Sequence, residues 1–174
     1  DPEIMVDFCR CVEAVFGTDP SAQVTARCHP VTGVITQQVS LSWKGALQFL
    51  EFCGLPPVLS DQTAVPAAIR RSPRSLVLEF LGAYAEGDGQ VGSRSIEFAS
   101  ASSWLLEEGQ LLCLNRGVVG RRSTINGYGR LAFMGEDGSR LARLLHPYLI
   151  TPRKRSAAAA LAWTPATKRN TNLD

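Results

Sequence analysis

Two carboxylates, Glu86 and Asp88, close the segment 76–89, whose apolar residues recur at helical spacing. A helix C-terminus carries partial negative charge, so Asp88 there is disfavoured unless a cation compensates it. Two such ends meeting across a close helix pair would bring two carboxylates together, which predicts a divalent metal. An amphipathic core helix followed by a glycine-rich turn explains the same pattern. The small residues that would allow the close helix pair are Gly82, Ala83 and Gly87.

The composition is that of an ordinary globular protein, with 45% hydrophobic and 20% charged residues. A length of 174 residues indicates one domain or two small halves. The net charge of +2 does not by itself predict a nucleic-acid partner. Basic residues crowd the range 116–155, which is compatible with a local basic surface, although most charge runs are simply solvated faces.

Cysteine and histidine usage argues against a zinc site. The five cysteines are scattered without a CxxC pair, and there are only two histidines. We expect buried thiols in a reducing intracellular compartment, either cytoplasm or nucleoid or an organelle. The sequence contains no signal peptide and no apolar run of membrane length, so no membrane partner is expected. The chain begins inside a predicted helix without an initiator Met, as a fragment or processed product would.

The first third of the chain predicts the order helix, strand, strand, helix. Residues 3–16 form a helix capped by Asp1, and residues 23–28 and 34–40 are strands joined by a turn that starts at His29. Ser42 caps the helix 43–52. The range 56–74, rich in proline, is predicted to be a linker, with one helical turn at 67–71.

The same order recurs after the linker, following the predicted helix 75–87 and a strand at 94–100. The next elements are a helix at 104–115, strands at 118–125 and 128–134 around an Asn126-Gly127 turn, and a helix at 137–146. We interpret this as an internal repeat. It divides the chain into a partial first repeat at 1–55, a second repeat at 75–150, and a C-terminal helix with a polar tail at 151–174.

Alternation along the predicted strands separates core residues from outward residues. It places Val24, Ala26, Ile96 and Phe98 inward, together with Leu131 and Phe133. Polar side chains on the opposite face of a β-ribbon can read base edges in the major groove, although a solvated sheet face has the same composition. The predicted DNA-binding residues are Gln23, Thr25, Arg27, Thr36, Gln38, Ser93, Ser95, Glu97, Arg121, Tyr128 and Arg130.

The segment Leu81-Gly-Ala-Tyr-Ala-Glu-Gly-Asp-Gly89 resembles the nine-residue motif of LAGLIDADG homing endonucleases. It is identical at Leu81, Asp88 and Gly89 and conservative at three further positions. The flanking segments, 65–69, 95–100 and 102–106, resemble those of intein-encoded and intron-encoded members. The resemblance extends over about residues 3–155. It implies an α+β fold of αββα repeats, whose antiparallel sheets form a DNA-binding saddle with helices behind it.

The resemblance also implies roles for individual residues. Asp88 would bind Mg²⁺, or another divalent metal such as Mn²⁺ or Ca²⁺, near the backbone of Gly89 or Gly87, and would thereby act in catalysis. Lys44, at a strand-to-helix junction, would be a catalytic lysine, although an exposed helix-start lysine is an equally good interpretation. Glu86 is expected to serve structure more than catalysis. The chain departs from the two-repeat pattern in having only one motif helix.

The function implied is site-specific hydrolysis of double-stranded DNA. The missing motif helix would come from a second copy of the chain or from a separate N-terminal fragment. The alternative is a catalytically degenerate DNA-binding protein or an RNA-splicing maturase of the same fold. An unrelated α+β interaction module is the third possibility.

Overall fold

The computed structural model describes residues 1–28, 30–33, 35–39, 41, 43–125 and 127–163. His29, Ser42 and Asn126, for which turn or capping roles were predicted, lie outside these residues. So do both ends of the predicted strand 34–40 and the predicted polar tail from 164 onward. The chain forms two compact units, Asp1–Phe52 and Cys53–Asp174, and each is described by itself.

The first unit contains two helices and a hairpin. Its elements are α1 (Pro2–Phe16), β1 (Thr25–Cys28), β2 (Ile35–Gln38) and α2 (Lys44–Phe52), with a 3-10 turn at Ser21–Gln23. Pro2 occupies the first turn of α1, and Gly17 ends it with φ 67°, a conformation that glycine adopts without strain. The strands pair antiparallel, with Thr25 opposite Gln38 and Cys28 opposite Ile35.

The predicted division of this hairpin into an inward and an outward face is wrong. Every residue of β1 and β2 is exposed, including Ala26, which we expected to face a core. Gln23 lies in the 3-10 turn rather than in a strand. A two-stranded sheet offers too little area to bury a face of its own, so alternation in the sequence has no core to match.

The second unit is built on a four-stranded antiparallel sheet with the strand order β3-β4-β6-β5. Its strands are β3 (Gly89–Val91), β4 (Ser95–Ser100), β5 (Arg121–Ile125) and β6 (Tyr128–Met134). Its helices are α3 (Ala67–Arg70), α4 (Arg74–Gly87), α5 (Ser103–Leu114), α6 (Gly135–Leu145) and α7 (Pro152–Ala162). Two 3-10 turns, Ser60–Gln62 and His146–Tyr148, complete it.

The core of this unit lies between one face of the sheet and the helices. Ile96 and Phe98 of β4 and Leu131 and Phe133 of β6 are buried, as the alternation predicted. The rings of Phe98 and Phe133 meet edge to face at 5.9 Å, and Tyr84 of α4 stacks on Phe98 at 4.9 Å. These aromatic contacts fix α4 against the sheet.

The range predicted as a linker, 56–74, belongs to the second unit. The Val65 side chain is buried, and the Val65 backbone N–H donates to Glu108 Oε2 of α5 at 2.8 Å. Arg70 forms an ion pair with the same carboxylate. Ser102, the N-cap of α5, donates to the Thr63 carbonyl at 2.5 Å. Glu108 and Ser102 therefore tie this segment to α5.

The chain is therefore an α+β protein with antiparallel sheets, which confirms the predicted fold class. The order helix, strand, strand, helix is present in both units, as α1–β1–β2–α2 and as α5–β5–β6–α6. Among the described residues, no helix combines the length and the apolar character needed to cross a membrane.

Candidate functional site

Asp88 is the first residue beyond α4. Its N–H still donates to the Tyr84 carbonyl at 3.1 Å, while its φ and ψ of −102° and 8° leave the helix. The Asp88 carbonyl accepts from the Ala99 N–H of β4 at 3.4 Å. The side chain is exposed. The carboxylate thus stands at the point where α4 turns directly into the sheet.

Glu86, by contrast, points into the protein. It is 4% exposed. Oε1 accepts from the N–H groups of Ile150 and Thr151 at 2.6 and 2.9 Å, and Oε2 accepts from the Thr151 hydroxyl at 2.9 Å. These bonds join the end of α4 to the residues that precede α7.

Lys154 of α7 reaches the same end of α4 and is also buried. Its Nζ donates to the carbonyls of Ala85, Glu86 and Gly89 at 2.7, 2.6 and 3.1 Å, and lies 3.9 Å from Glu86 Oε2. Burial lowers the pKa of Lys154, an effect that the charge of Glu86 opposes. Lys154 thus places a positive charge of the chain itself at this helix end, where a divalent metal was predicted.

The small residues of α4 do not share one face. Ala83 and Gly87 are exposed, and a Cβ on Gly87 would meet nothing within 4 Å. Gly82 is buried, and a Cβ there would lie 2.7 Å from Cβ of Tyr148. Gly82 therefore packs against the 3-10 turn at Tyr148 and is not on the face predicted for a helix pair.

Five predicted DNA-binding residues lie on the sheet face opposite the helices. Strand register places Glu97 and Arg121 on either side of Ala132, and Arg130 beside Ala99. Residues directly opposite each other in antiparallel strands project to the same face. The outward face, as we call it below, therefore includes Ser95, Glu97, Arg121, Tyr128 and Arg130.

Glu97 organises the centre of the outward face. Its Oε2 accepts from Arg130 Nε at 2.7 Å, its Oε1 pairs with a second nitrogen of Arg130, and Ser95 Oγ donates to Oε1 at 2.8 Å. Burial alone would raise the pKa of Glu97, but the bonds from Arg130 and Ser95 and the charge of Arg130 hold it below its usual value. Glu97 and Arg130 therefore compensate each other.

Neighbouring arginines of β5 face opposite sides of the sheet. Arg122 is opposite Leu131, a core residue, and pairs with Glu107 of α5 at 3.2 Å. Arg121 lies on the outward face, and no ion pair is formed by its guanidinium with any residue in the described part of the chain. Within the described residues, the positive charge of Arg121 is therefore uncompensated.

Two cavities of about 350 and 390 Å³ adjoin Asp88. Both have Asp88, Ala99 and Tyr128 in their walls. The first extends over the outward face to Glu97 and Arg130. The second is bounded by Ser60 and Thr63 of the segment predicted as a linker, a contribution that no sequence signal indicated. Asp88 and the polar sheet residues therefore form one site.

The residues of this site do not by themselves fit a divalent metal. No group of three His, Cys, Asp or Glu that could hold an ion occurs within the described ranges. The Gly89 carbonyl, predicted as a ligand, accepts from Lys154 Nζ, so a divalent cation on that oxygen would meet a like charge. Among the described residues that line the two cavities, Asp88 is the one exposed carboxylate.

The remaining predicted residues are not brought to Asp88. Ser93 is exposed in the turn between β3 and β4. Lys44 is the exposed first residue of α2, in the other unit. In the hairpin of that unit, Thr25 and Arg27 lie opposite Gln38 and Thr36, so these four predicted residues share one exposed face.

Lys154 is the functional candidate that sequence reasoning missed. The run Arg153-Lys154-Arg155 opens an alanine-rich helix, and nothing in its spacing indicates which cation is buried. Only the return of α7 to the end of α4 distinguishes Lys154 from its neighbours.

Comparison with known proteins gives only limited similarity to solved structures. The sequence matches no protein-family model and no curated protein. Among solved structures, the fold is similar to that of the homing endonuclease I-CvuI, described in complex with the I-CreI target in the presence of Mg, with the DNA not cleaved. The identity is 19% and the TM-score 0.43. The match covers 51% of this chain and 66% of that one, just under two thirds of the endonuclease's length.

Proposed function

We propose that this chain binds duplex DNA through the outward face of its four-stranded sheet. The observation that carries the proposal is the convergence of Asp88, Glu97, Tyr128 and Arg130 on one cavity. Arg and Glu side chains on a twisted antiparallel sheet have the reach and the donors and acceptors for base edges, and an uncompensated arginine attracts phosphate. Arg121 is the side chain that we expect to add most to affinity.

The same proposal extends to cleavage only for an assembly that supplies a second carboxylate. A second copy of the chain, or a separate fragment with an equivalent helix, could pack on the exposed Ala83 and Gly87 of α4 and bring its own acidic residue beside Asp88. Such a pair would hold Mg²⁺ for hydrolysis of a phosphodiester. Without it, we propose DNA binding alone, an alternative favoured by the Lys154 ammonium at the Gly89 carbonyl.

Adjacent arginines provide a matched test of binding. Arg121→Ala and Arg122→Ala remove the same charge from the same strand but from opposite faces. We expect Arg121→Ala to weaken binding to a random-sequence duplex and to reduce the slope of log K against log salt by about 1. We expect Arg122→Ala, which only breaks the pair with Glu107, to bind as the wild type does. Fluorescence anisotropy at several salt concentrations measures both.

Equal losses in the two variants would show that net charge, and not the outward face, determines binding. Absence of binding by the wild-type chain at low salt would defeat the proposal altogether.

Asp88→Asn tests the extension to cleavage. Asp88 is the one exposed carboxylate among the described residues that line the two cavities. Its loss should abolish Mg²⁺-dependent scission of a plasmid library carrying random sites, without weakening DNA binding, because the side chain keeps its size. Scission is followed on agarose gels and binding by anisotropy. Scission retained by Asp88→Asn would remove Asp88 from the reaction, whereas binding without scission by the wild type would support the non-cleaving alternative.

A further inference from the structure

We infer that Lys154 is a positioning residue: its ammonium holds the turn that presents Asp88 through hydrogen bonds to the backbone on either side of Asp88. The expected effect of Lys154 on DNA cleavage rests on the function proposed above. The structural content of the inference, that α7 fixes the end of α4 through one side chain, can be tested on the protein alone.

The end of α4 lacks the usual means of satisfying its last carbonyls. Helices often end in a left-handed glycine whose N–H closes back on the final turn. Here Asp88 has φ −102° instead, and Gly89 enters β3 directly. A Cβ on Gly89 would lie 2.6 Å from the Ala85 Cα, so the turn is tight. The carbonyls of Ala85 and Glu86 are therefore left without the N–H groups that a longer helix would provide.

Lys154 Nζ occupies this position and donates to both carbonyls and to that of Gly89. The three bonds span the residues on either side of Asp88, at 2.6 to 3.1 Å. Its distance to the Glu86 carboxylate is longer, 3.9 Å. The ammonium therefore acts mainly on backbone and only secondarily as an ion-pair partner of Glu86. Its charge also opposes the negative end of the helix dipole.

Glu86 acts on a different segment. Its carboxylate accepts from Ile150 and Thr151, just before α7. Thr151 is the N-cap of α7, and Lys154 follows one turn later. Glu86 thus places the start of α7, and Lys154 fastens the Asp88 turn. Because the two side chains bond to different backbone groups, their effects can be separated by experiment.

Amide hydrogen exchange of the metal-free protein tests the separation. The probes are the Asp88 N–H, bonded to Tyr84, and the Ala99 N–H, bonded to the Asp88 carbonyl, with amides of β6 as the internal reference. We expect Lys154→Met to raise exchange at both probes about tenfold or more relative to the reference. We expect Glu86→Gln to raise exchange at Ile150 and Thr151 while leaving both probes unchanged.

The double variant Glu86→Gln/Lys154→Met keeps the test decisive if Lys154→Met does not fold, because it leaves no buried charge without a partner. The inference would be overturned if, in the Lys154 variants, exchange at the Asp88 and Ala99 amides rose no more than exchange at the β6 reference amides. It would also be overturned if Glu86→Gln alone raised exchange at the Asp88 and Ala99 amides to the same extent.

A cleavage measurement then separates this inference from the function on which it rests. If the wild type cuts DNA, Lys154→Met or the double variant should lower the cleavage rate while the DNA dissociation constant stays within about twofold, and Glu86→Gln should retain the rate. A fall in affinity alone would contradict the positioning role. If the wild type cuts nothing, the proposed cleavage fails, while the exchange data still decide whether Lys154 fixes the turn.

Discussion

Two glycines of α4 that look equivalent in the sequence meet opposite environments. Gly82 is buried against Tyr148, whereas Gly87 is exposed and has open space where a side chain would begin. Both were predicted to face a partner helix because both are small residues. The structure assigns Gly82 to the packing of its own unit, so its absence of a side chain serves the fold whether or not a partner helix binds.

Alanine substitutions at these two positions should therefore have different effects on stability. Gly82→Ala places a methyl group 2.7 Å from Tyr148 Cβ and 3.0 Å from its carbonyl oxygen, so backbone must move. We expect the free energy of unfolding to fall by about 1–3 kcal/mol, as in other overpacked sites. Gly87→Ala should be neutral or stabilising by up to about 1 kcal/mol, since alanine favours helix. Urea denaturation followed by circular dichroism measures both values.

If Gly82→Ala were as stable as Gly87→Ala, the contact between α4 and the Tyr148 turn would be looser than described. Gly87→Ala also reports on the proposed partner: a helix packed on this face would be displaced by the added methyl group, so reduced self-association without loss of stability would support such a pair.

At the scale of elements, periodicity and caps predicted most of the second unit. The helix predicted at 75–87 is Arg74–Gly87, that at 104–115 is Ser103–Leu114, and the strand at 128–134 is Tyr128–Met134. Ser102 caps α5 by accepting the Leu105 N–H at 3.2 Å. Each of these elements buries one face, so its sequence carries the corresponding period.

Other elements could not be predicted because their partners are distant in the chain. β3 has only three residues, Gly89–Val91, too few to show alternation, and it exists because β4 pairs with it. The proline-rich range 56–74 has loop composition, yet Glu108 and Ser102 dock it on α5. At the site, strand alternation predicted the outward face. The capping of α4 by Lys154 could not be predicted, because it depends on a contact between Lys154 and Glu86, which are 68 residues apart in the chain.

At the scale of the whole chain, the hydrophobic core belongs to one unit. The described core cluster runs from Val65 to Ala162, and Phe98 and Phe133 at its centre are fully enclosed. In the first unit, Val12, Ala46 and Pro20 are the buried side chains among the residues described there. Large apolar side chains such as Val31 and Phe52 are 87% and 90% exposed. The two units should therefore differ in local stability.

Limited proteolysis should reveal this difference. We expect trypsin under native conditions to cut within residues 1–52 before it cuts within 53–163, because a unit with little buried area opens at lower cost. Mass spectrometry of the time course locates the first cuts. Digestion in urea provides the control, since both ranges should then be cut at similar rates. A first native cut inside 53–163 would contradict the assignment of the core.

The placement of Ser60 and Thr63 has a practical consequence for anyone who recombines such chains. The stretch that follows Phe52 contributes Ser60 and Thr63 to the wall of the second cavity beside Asp88, and the Thr63 carbonyl accepts a hydrogen bond from Ser102 of α5. A chimaera that exchanges the N-terminal unit should be joined at the boundary between residues 52 and 53. A crossover placed in the proline-rich stretch itself, whose composition resembles that of a tolerant spacer, would instead alter the wall of the cavity beside Asp88.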